Sequence, residues 1–259
     1  MMRVRYLFAA LLAISIPLGA ALAQDDFVFW PNADYDPEVP TFERVLGYGP
    51  GERITWSHNV RRYFDALADY APDQVRVVDY ATSWEGRGLY YVVIASAENL
   101  ANLDMVKANM QRLRDPRVTS ATEAAGIIET QPAVTWLSYS VHGNEISTSE
   151  SAMLSAYHLL AARNDDRIPE ILAETVVVID PVQNPDGRDR FIHRFEIAEG
   201  LEPRGDRISA EHIEPWPRGL TNHYLFDMNR DWFMRTQPET RGRADAILEF
   251  LPVAFVDSH

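Results

Sequence analysis

The stretch AVTWLSYSVHGNE, residues 133–145, decides how this chain is read. Ala133 to Tyr139 is rich in β-branched and aromatic types and reads as a strand, and a helix is expected from about Glu145 to Arg163, so the residues between them join a strand to a helix. Open α/β sheets bind their ligands at the carboxyl ends of strands, and His142 and Glu145 leave such an end. Three positions apart across a turn that contains Gly143, they can bring an imidazole and a carboxylate onto one ion. Zinc accepts both ligand types, and a catalytic zinc uses three protein ligands with one position kept for water. Alone, the His-x-x-Glu spacing is more commonly that of a structural His beside a surface Glu.

Outward from this stretch the chain alternates strands and helices. Val75 to Tyr80, Leu89 to Ala95, Thr175 to Ile179 and Val253 to Val256 read as strands. His58 to Tyr70, about Asn99 to Arg114, and Pro238 to Leu251 read as helices, the first with Val60, Tyr63, Phe64 and Leu67 on one face. Tyr90 to Ala95 and Thr175 to Ile179 are continuous apolar runs, which suit a sheet covered on both sides. The expected fold is therefore α/β: a mixed central sheet flanked by helices on both faces. The last strand runs through Asp257 and Ser258 into His259, which places a third candidate ligand at another strand end. Asn184-Pro185-Asp186-Gly187 reads as a structural turn, and Arg188 to Thr221 as a long irregular loop bordering the site. His158 is expected to be a packed or surface residue of its helix, whereas His193, His212 and His223 lie in or beside the loop, where they could touch substrate.

Three segments are expected along the chain of 259 residues. Residues 1–23 read as a signal peptide: Arg3 and Arg5 at the start, an apolar stretch from Tyr6 to Ile16, and Ala21-Leu22-Ala23 as the cleavage pattern. The apolar stretch is shorter than the roughly 20 residues a bilayer span needs, so export to the periplasm or medium is expected, without stable membrane insertion. Residues 24–52 are expected to be an extended segment and 53–259 the domain that carries the candidate ligands. There is no Cys, which excludes disulfides and cysteine catalysis. The net charge of -14, or -16 once Arg3 and Arg5 leave, disfavours nucleic acid as a partner.

The chain resembles the zinc metallocarboxypeptidases, the family of carboxypeptidases A and B, through motifs that occur in order. Ser83-Trp84-Glu85-Gly86-Arg87 is similar to the family's Glu-Gly-Arg element. His142-Gly143-Asn144-Glu145 resembles the first two zinc ligands and Asn184-Pro185-Asp186-Gly187 the turn after the next strand. Asp227-Met228-Asn229-Arg230-Asp231-Trp232 is similar to the element that holds a substrate carboxylate, and Asp257-Ser258-His259 falls where the third ligand belongs. In well-known members an Arg stands at the position of Asn144, so the charge of the site departs from theirs here.

The resemblance implies one Zn2+ per chain on His142, Glu145 and His259, and hydrolysis of the last peptide bond of peptides or proteins. It implies that Asn229 and Arg230 bind the terminal carboxylate, a role that suits a planar guanidinium meeting a carboxylate with two hydrogen bonds; a surface salt bridge is the other reading of Arg230. Arg218, or Arg204, is the candidate for polarising the scissile carbonyl. The family's general base, a Glu, and its substrate-capping Tyr lie downstream of the third ligand. Glu150 is expected to point away from the site. The sequence is thus expected to be C-terminally truncated and inactive as it stands. A zinc amidohydrolase or deacylase, a non-catalytic binding homologue and a peptidoglycan-trimming carboxypeptidase are the alternatives; a clamp for a free carboxylate separates the peptidase from the deacylase.

Overall fold

Five strands make one mixed sheet: β1 (Val75–Thr82), β2 (Gly88–Ile94), β3 (Ala133–Tyr139), β4 (Thr175–Asp180) and β5 (Ala254–Ser258), in the order β1-β2-β4-β3-β5. The structure, a computed structural model, describes residues 29–202 and 204–259. The signal peptide expected at residues 1–23 lies outside the described residues. Residues from Ala33 onward form one compact unit. The helices are α1 (Phe42–Leu46), α2 (Ser57–Tyr70), α3 (Ala97–Ala101), α4 (Leu103–Leu113), α5 (Ala121–Thr130), α6 (Ile146–Ala161), α7 (Arg167–Glu174), α8 (Pro185–Ala198) and α9 (Pro238–Phe250). Among the described residues, no helix is long and apolar enough to cross a membrane.

The continuous apolar strands take the middle of the sheet. Val176, Val178 and Ile179 of β4 are fully buried, as are Leu89, Val92, Val93 and Ile94 of β2. Successive side chains of a strand point to opposite faces, and β2 shows what covers each. Tyr91 packs into a core with Trp136, Val178, Val106 of α4 and Phe250 of α9, while its neighbour Tyr90 meets Phe64 of α2. Helices thus cover both faces, as the sequence suggests. In α2 the buried side chains Val60, Tyr63, Phe64 and Leu67 recur at helical spacing, so one stripe faces the core.

β3 runs parallel to both β4 and β5, with Ser138 opposite Asp180 on one side and Asp257 on the other. The carboxyl ends of β3 and β5 therefore lie side by side, which is what positions the site. β5 is an edge strand; Phe255 and Val256 in it and Val253 just before it are exposed at 42%, 48% and 69%.

Four local expectations need correction. Arg188 to Thr221 is not irregular throughout, because α8 runs to Ala198. The Asn184-Pro185-Asp186-Gly187 stretch starts that helix: Pro185 occupies its first turn, where the missing N–H costs nothing, and Asn184 Oδ1 caps it by accepting from Gly187 N at 2.9 Å. The helix expected over Asn99 to Arg114 is two helices that meet at Asn102. The segment 24–52 is not extended throughout, since Thr41 caps the short α1 and Gly47 ends it with φ of 84°. The helices α5 and α7 also went unread.

Candidate metal centre

The ligand turn begins at Ser140, which is fully buried and holds a positive φ of 58°. Such a backbone is uncommon outside glycine and persists here because the surroundings fix it. Asn184 N donates to Ser140 O at 3.1 Å, Gln183 N to Tyr139 O at 3.1 Å, and Ser140 Oγ to His142 O at 3.2 Å. The connection from β4 to α8 thus props the turn that leaves β3. α6 starts at the next residue after Glu145, so His142 and Glu145 sit between a strand end and a helix start.

His142 and Glu145 from this turn meet His259 from the end of β5, one ligand-type atom of each lying within 4.8 Å of the others. His142 Nδ1 stands 2.7 Å from Glu145 Oε1, and the two imidazole rings are 5.3 Å apart, edge to face. At zinc bond lengths, tetrahedral ligands are about 3.4 Å apart, so the cluster needs only a small contraction around an ion. Two imidazoles and one carboxylate, with His259 partly exposed, fit a zinc that keeps one position open.

A segment between α8 and α9 closes the other side of the cluster. His142 Nε2 lies 3.2 Å from Asp227 Oδ1, which also accepts from Asn229 N at 2.9 Å. A carboxylate on the far nitrogen of a histidine fixes its tautomer and ring orientation, leaving Nδ1 for an ion. Asn229 Nδ2 lies 2.9 Å from His259 Nε2 and is the donor of that pair. Asp227 escaped the sequence reading although it lies in a quoted motif; the signal was its spacing, since an Asp two residues before Asn229 caps the turn Met228–Arg230.

The remaining candidates stand outside the cluster. Arg230 is exposed, and its Nη1 donates to the carbonyl of Asn229 at 3.1 Å. Arg218 is exposed too, and its carbonyl accepts from Arg190 Nη1 at 2.9 Å. Arg204 contributes only its backbone: its N donates to Glu211 and its carbonyl lies 2.6 Å from His212 Nε2. Glu150 is held by fully buried Arg188 at 3.0 Å and by Thr55 N at 2.8 Å. His223 pairs with Glu85 at 3.0 Å, His193 is exposed, and His158 is packed against Tyr35, with burial pulling its pKa down.

Beneath the cluster lies a buried polar layer. Asp180 at the end of β4 is fully buried, accepts from Tyr80 OH at 3.2 Å, and faces the buried guanidinium of Arg243 from α9. Burial pushes its carboxyl up to about 7, against the opposing pull of Arg243 and Tyr80. Arg243 itself lies 4.1 Å from the centre of the Trp232 ring and bonds Gln183. Asp231 accepts from Thr236 N, Thr236 Oγ1 and Gln237 N at 2.7 to 2.9 Å, and although burial works against it these bonds hold its pKa below the usual value.

The model of the zinc carboxypeptidase family matches residues 60–246, so the chain belongs to that family. The match takes in His142, Glu145, Asp227, Asn229 and Arg230 and stops before His259. No curated protein gives a significant match. Among solved structures, carboxypeptidase A from Helicoverpa armigera is 18% identical with a TM-score of 0.51, over 80% of this chain and 46% of that one. Thrombin-activatable fibrinolysis inhibitor is 12% identical with a TM-score of 0.50, over 80% of this chain and 47% of that one. Both show the same fold, and the chain spans about half the length of each.

Proposed function

We propose that this chain holds one zinc ion on His142, Glu145 and His259, and that the protein it belongs to removes C-terminal residues from peptides or proteins outside the cytoplasm. The observation that carries this reading is the convergence of the three ligand-type side chains, within 4.8 Å, from two adjacent parallel strand ends. Zinc bound there supplies a Lewis acid that polarises the scissile carbonyl and lowers the pKa of water.

The chain's own residues have distinct tasks in this reading. Asp227 orients His142, and Asn229 steadies His259. Arg230 turns from its neighbour's carbonyl to meet the substrate carboxylate, with Asn229 beside it, and Arg218 is the candidate to meet the developing oxyanion. Neither guanidinium is engaged by a carboxylate among the described residues, which leaves both available. Of the carboxylates around the cluster, Glu145 is the ligand, Asp227 is committed to His142 and Glu150 to Arg188, and Asp257 Oδ2 lies 3.7 Å from His259 Nδ1. None is assigned as general base, and the chain by itself is proposed to bind metal and peptide without turnover. Residues 1–23 act as the export signal in this reading.

The test compares binding of a peptide with a free terminal carboxylate and the same peptide amidated, on the zinc-loaded chain. Tighter binding of the free acid by about tenfold or more, abolished by Arg230→Ala, is expected, since a charge-assisted bidentate contact contributes about 1.5–3 kcal/mol. Equal binding of acid and amide overturns the carboxypeptidase reading in favour of an amidohydrolase.

A further inference from the structure

The segment from Glu214 to Asn229 grips the ligand cluster at both ends. At one end are Asp227 on His142 and Asn229 on His259. At the other, Glu214 Oε2 accepts from Asn144 Nδ2 at 2.9 Å, and Glu214 Oε1 accepts from Gly219 N at 2.6 Å. Asn144 immediately precedes Glu145 and stands two residues after His142, so this tie reaches the ligand turn itself.

Behind it, three backbones meet at glycines. A methyl group on Gly143 would lie 2.1 Å from Arg188 N and 2.6 Å from Gly219 O; one on Gly187 would lie 2.3 Å from Gly219 O; one on Gly219 would lie 2.6 Å from Gly187 O. Real side chains never approach backbone so closely, so the junction needs all three glycines. The ligand turn, the start of α8 and the loop at Gly219 are in direct backbone contact there, and the turn cannot shift without moving its neighbours.

We propose that Glu214 is a positioning residue of the metal site. With Asn144 and the glycine junction it fixes the turn that carries His142 and Glu145, so that both ligands stand ready before an ion arrives. The charged carboxylate makes both of its hydrogen bonds stronger than neutral ones, and it holds a loop that has little other regular structure. The inference rests on the proposed assignment of His142, Glu145 and His259 as ligands.

The test is Co2+ titration of the full chain, following visible absorption, with thermal unfolding measured in parallel. Glu214→Ala and Asn144→Ala should each weaken Co2+ binding about 10- to 100-fold, the usual effect of removing an outer partner of a ligand, and change the absorption band that reports coordination geometry. The double variant should be no weaker than the worse single one, because both remove the same tie. Glu214→Gln, which can keep both contacts if the Asn144 amide flips, should lose only a few-fold. Wild-type Co2+ affinity in Glu214→Ala or Asn144→Ala with only a lower Tm overturns the proposal, as do effects that add in the double variant. If Glu214→Ala does not fold, Asn144→Ala and Glu214→Gln decide. His142→Ala separates the two readings: unchanged Co2+ binding in that variant overturns the ligand assignment, whereas loss there without loss in the Glu214 and Asn144 variants overturns only this inference.

Discussion

His142 and Glu145 were legible because they follow a strand signal directly, and His259 because the last apolar run leads into it. What the sequence could not convey was the partner of each. Asp227 is 85 residues from His142, and no local pattern links a carboxylate to an imidazole across that separation. Asp180 is a second case: an acid at the end of a valine-rich run looks like a strand terminator, yet it is fully buried beside Arg243 and Tyr80. Its carboxyl is raised to about 7 by burial, whereas an unfolded Asp titrates near 3.9. The folded state therefore holds a proton that the unfolded state has lost, and the contribution to stability is complete below about pH 4 and lost as pH rises through about 7. One proton held only by the folded state makes stability fall by roughly 1.4 kcal/mol for each step of one in pH. Chemical denaturation of the wild type should therefore show a loss of a few kcal/mol between about pH 5 and 8, and Asp180→Asn should flatten that slope. An unchanged slope in the Asn variant contradicts the assignment.

At the scale of elements, every strand was legible, and β3 matches the expected Ala133 to Tyr139 at both ends. The two central strands, β2 and β4, announce themselves by nearly uninterrupted apolar runs, and the others by β-branched and aromatic residues. The helices were harder where their buried side is polar: the first turns of α8 bury Asp186, Arg188 and Asp189 in ion pairs and hydrogen bonds with Arg87, Glu150 and Ser57. A pattern of apolar spacing cannot find such a helix, and Pro185 with Gly187 mimics a turn. The signal for α5 was present as a capping box, with Ser120 and Glu123 bonding each other's backbone N–H. The edge strand β5 carries exposed Phe255 and Val256, and an open apolar groove of about 510 Å³ lies beside it, lined by Trp232, Ile247, Leu251, Pro252 and Phe255. Unpaired strand edges of this kind template association. Sedimentation velocity should show concentration-dependent oligomers of the chain, and Val256→Lys should reduce them, since charged side chains block edge pairing. Equal association by both proteins places the contact elsewhere.

For the whole molecule, the absence of Cys leaves core burial, hydrogen bonds and, in the proposed reading, an ion as the means of holding the site together. The two strands that deliver the ligands pair directly, but β5 is the outermost strand, so an ion on His259 also fastens that edge to β3. A ligand that binds only the folded state stabilises it by about 2.7 kcal/mol at a hundred times its Kd, so zinc should raise the Tm by an amount that grows with the logarithm of its affinity. The family and the fold follow from the match and the shared architecture; the ion is the claim on which the proposed chemistry depends. Its most direct measurement is a zinc titration of the purified chain by competition with a chromophoric chelator, beside His142→Ala, Glu145→Ala and His259→Ala. The proposal predicts one tightly held zinc per chain, with each substitution weakening it by about 100-fold or more, as loss of one of three protein ligands requires. Weak binding of the same strength in all four proteins contradicts it.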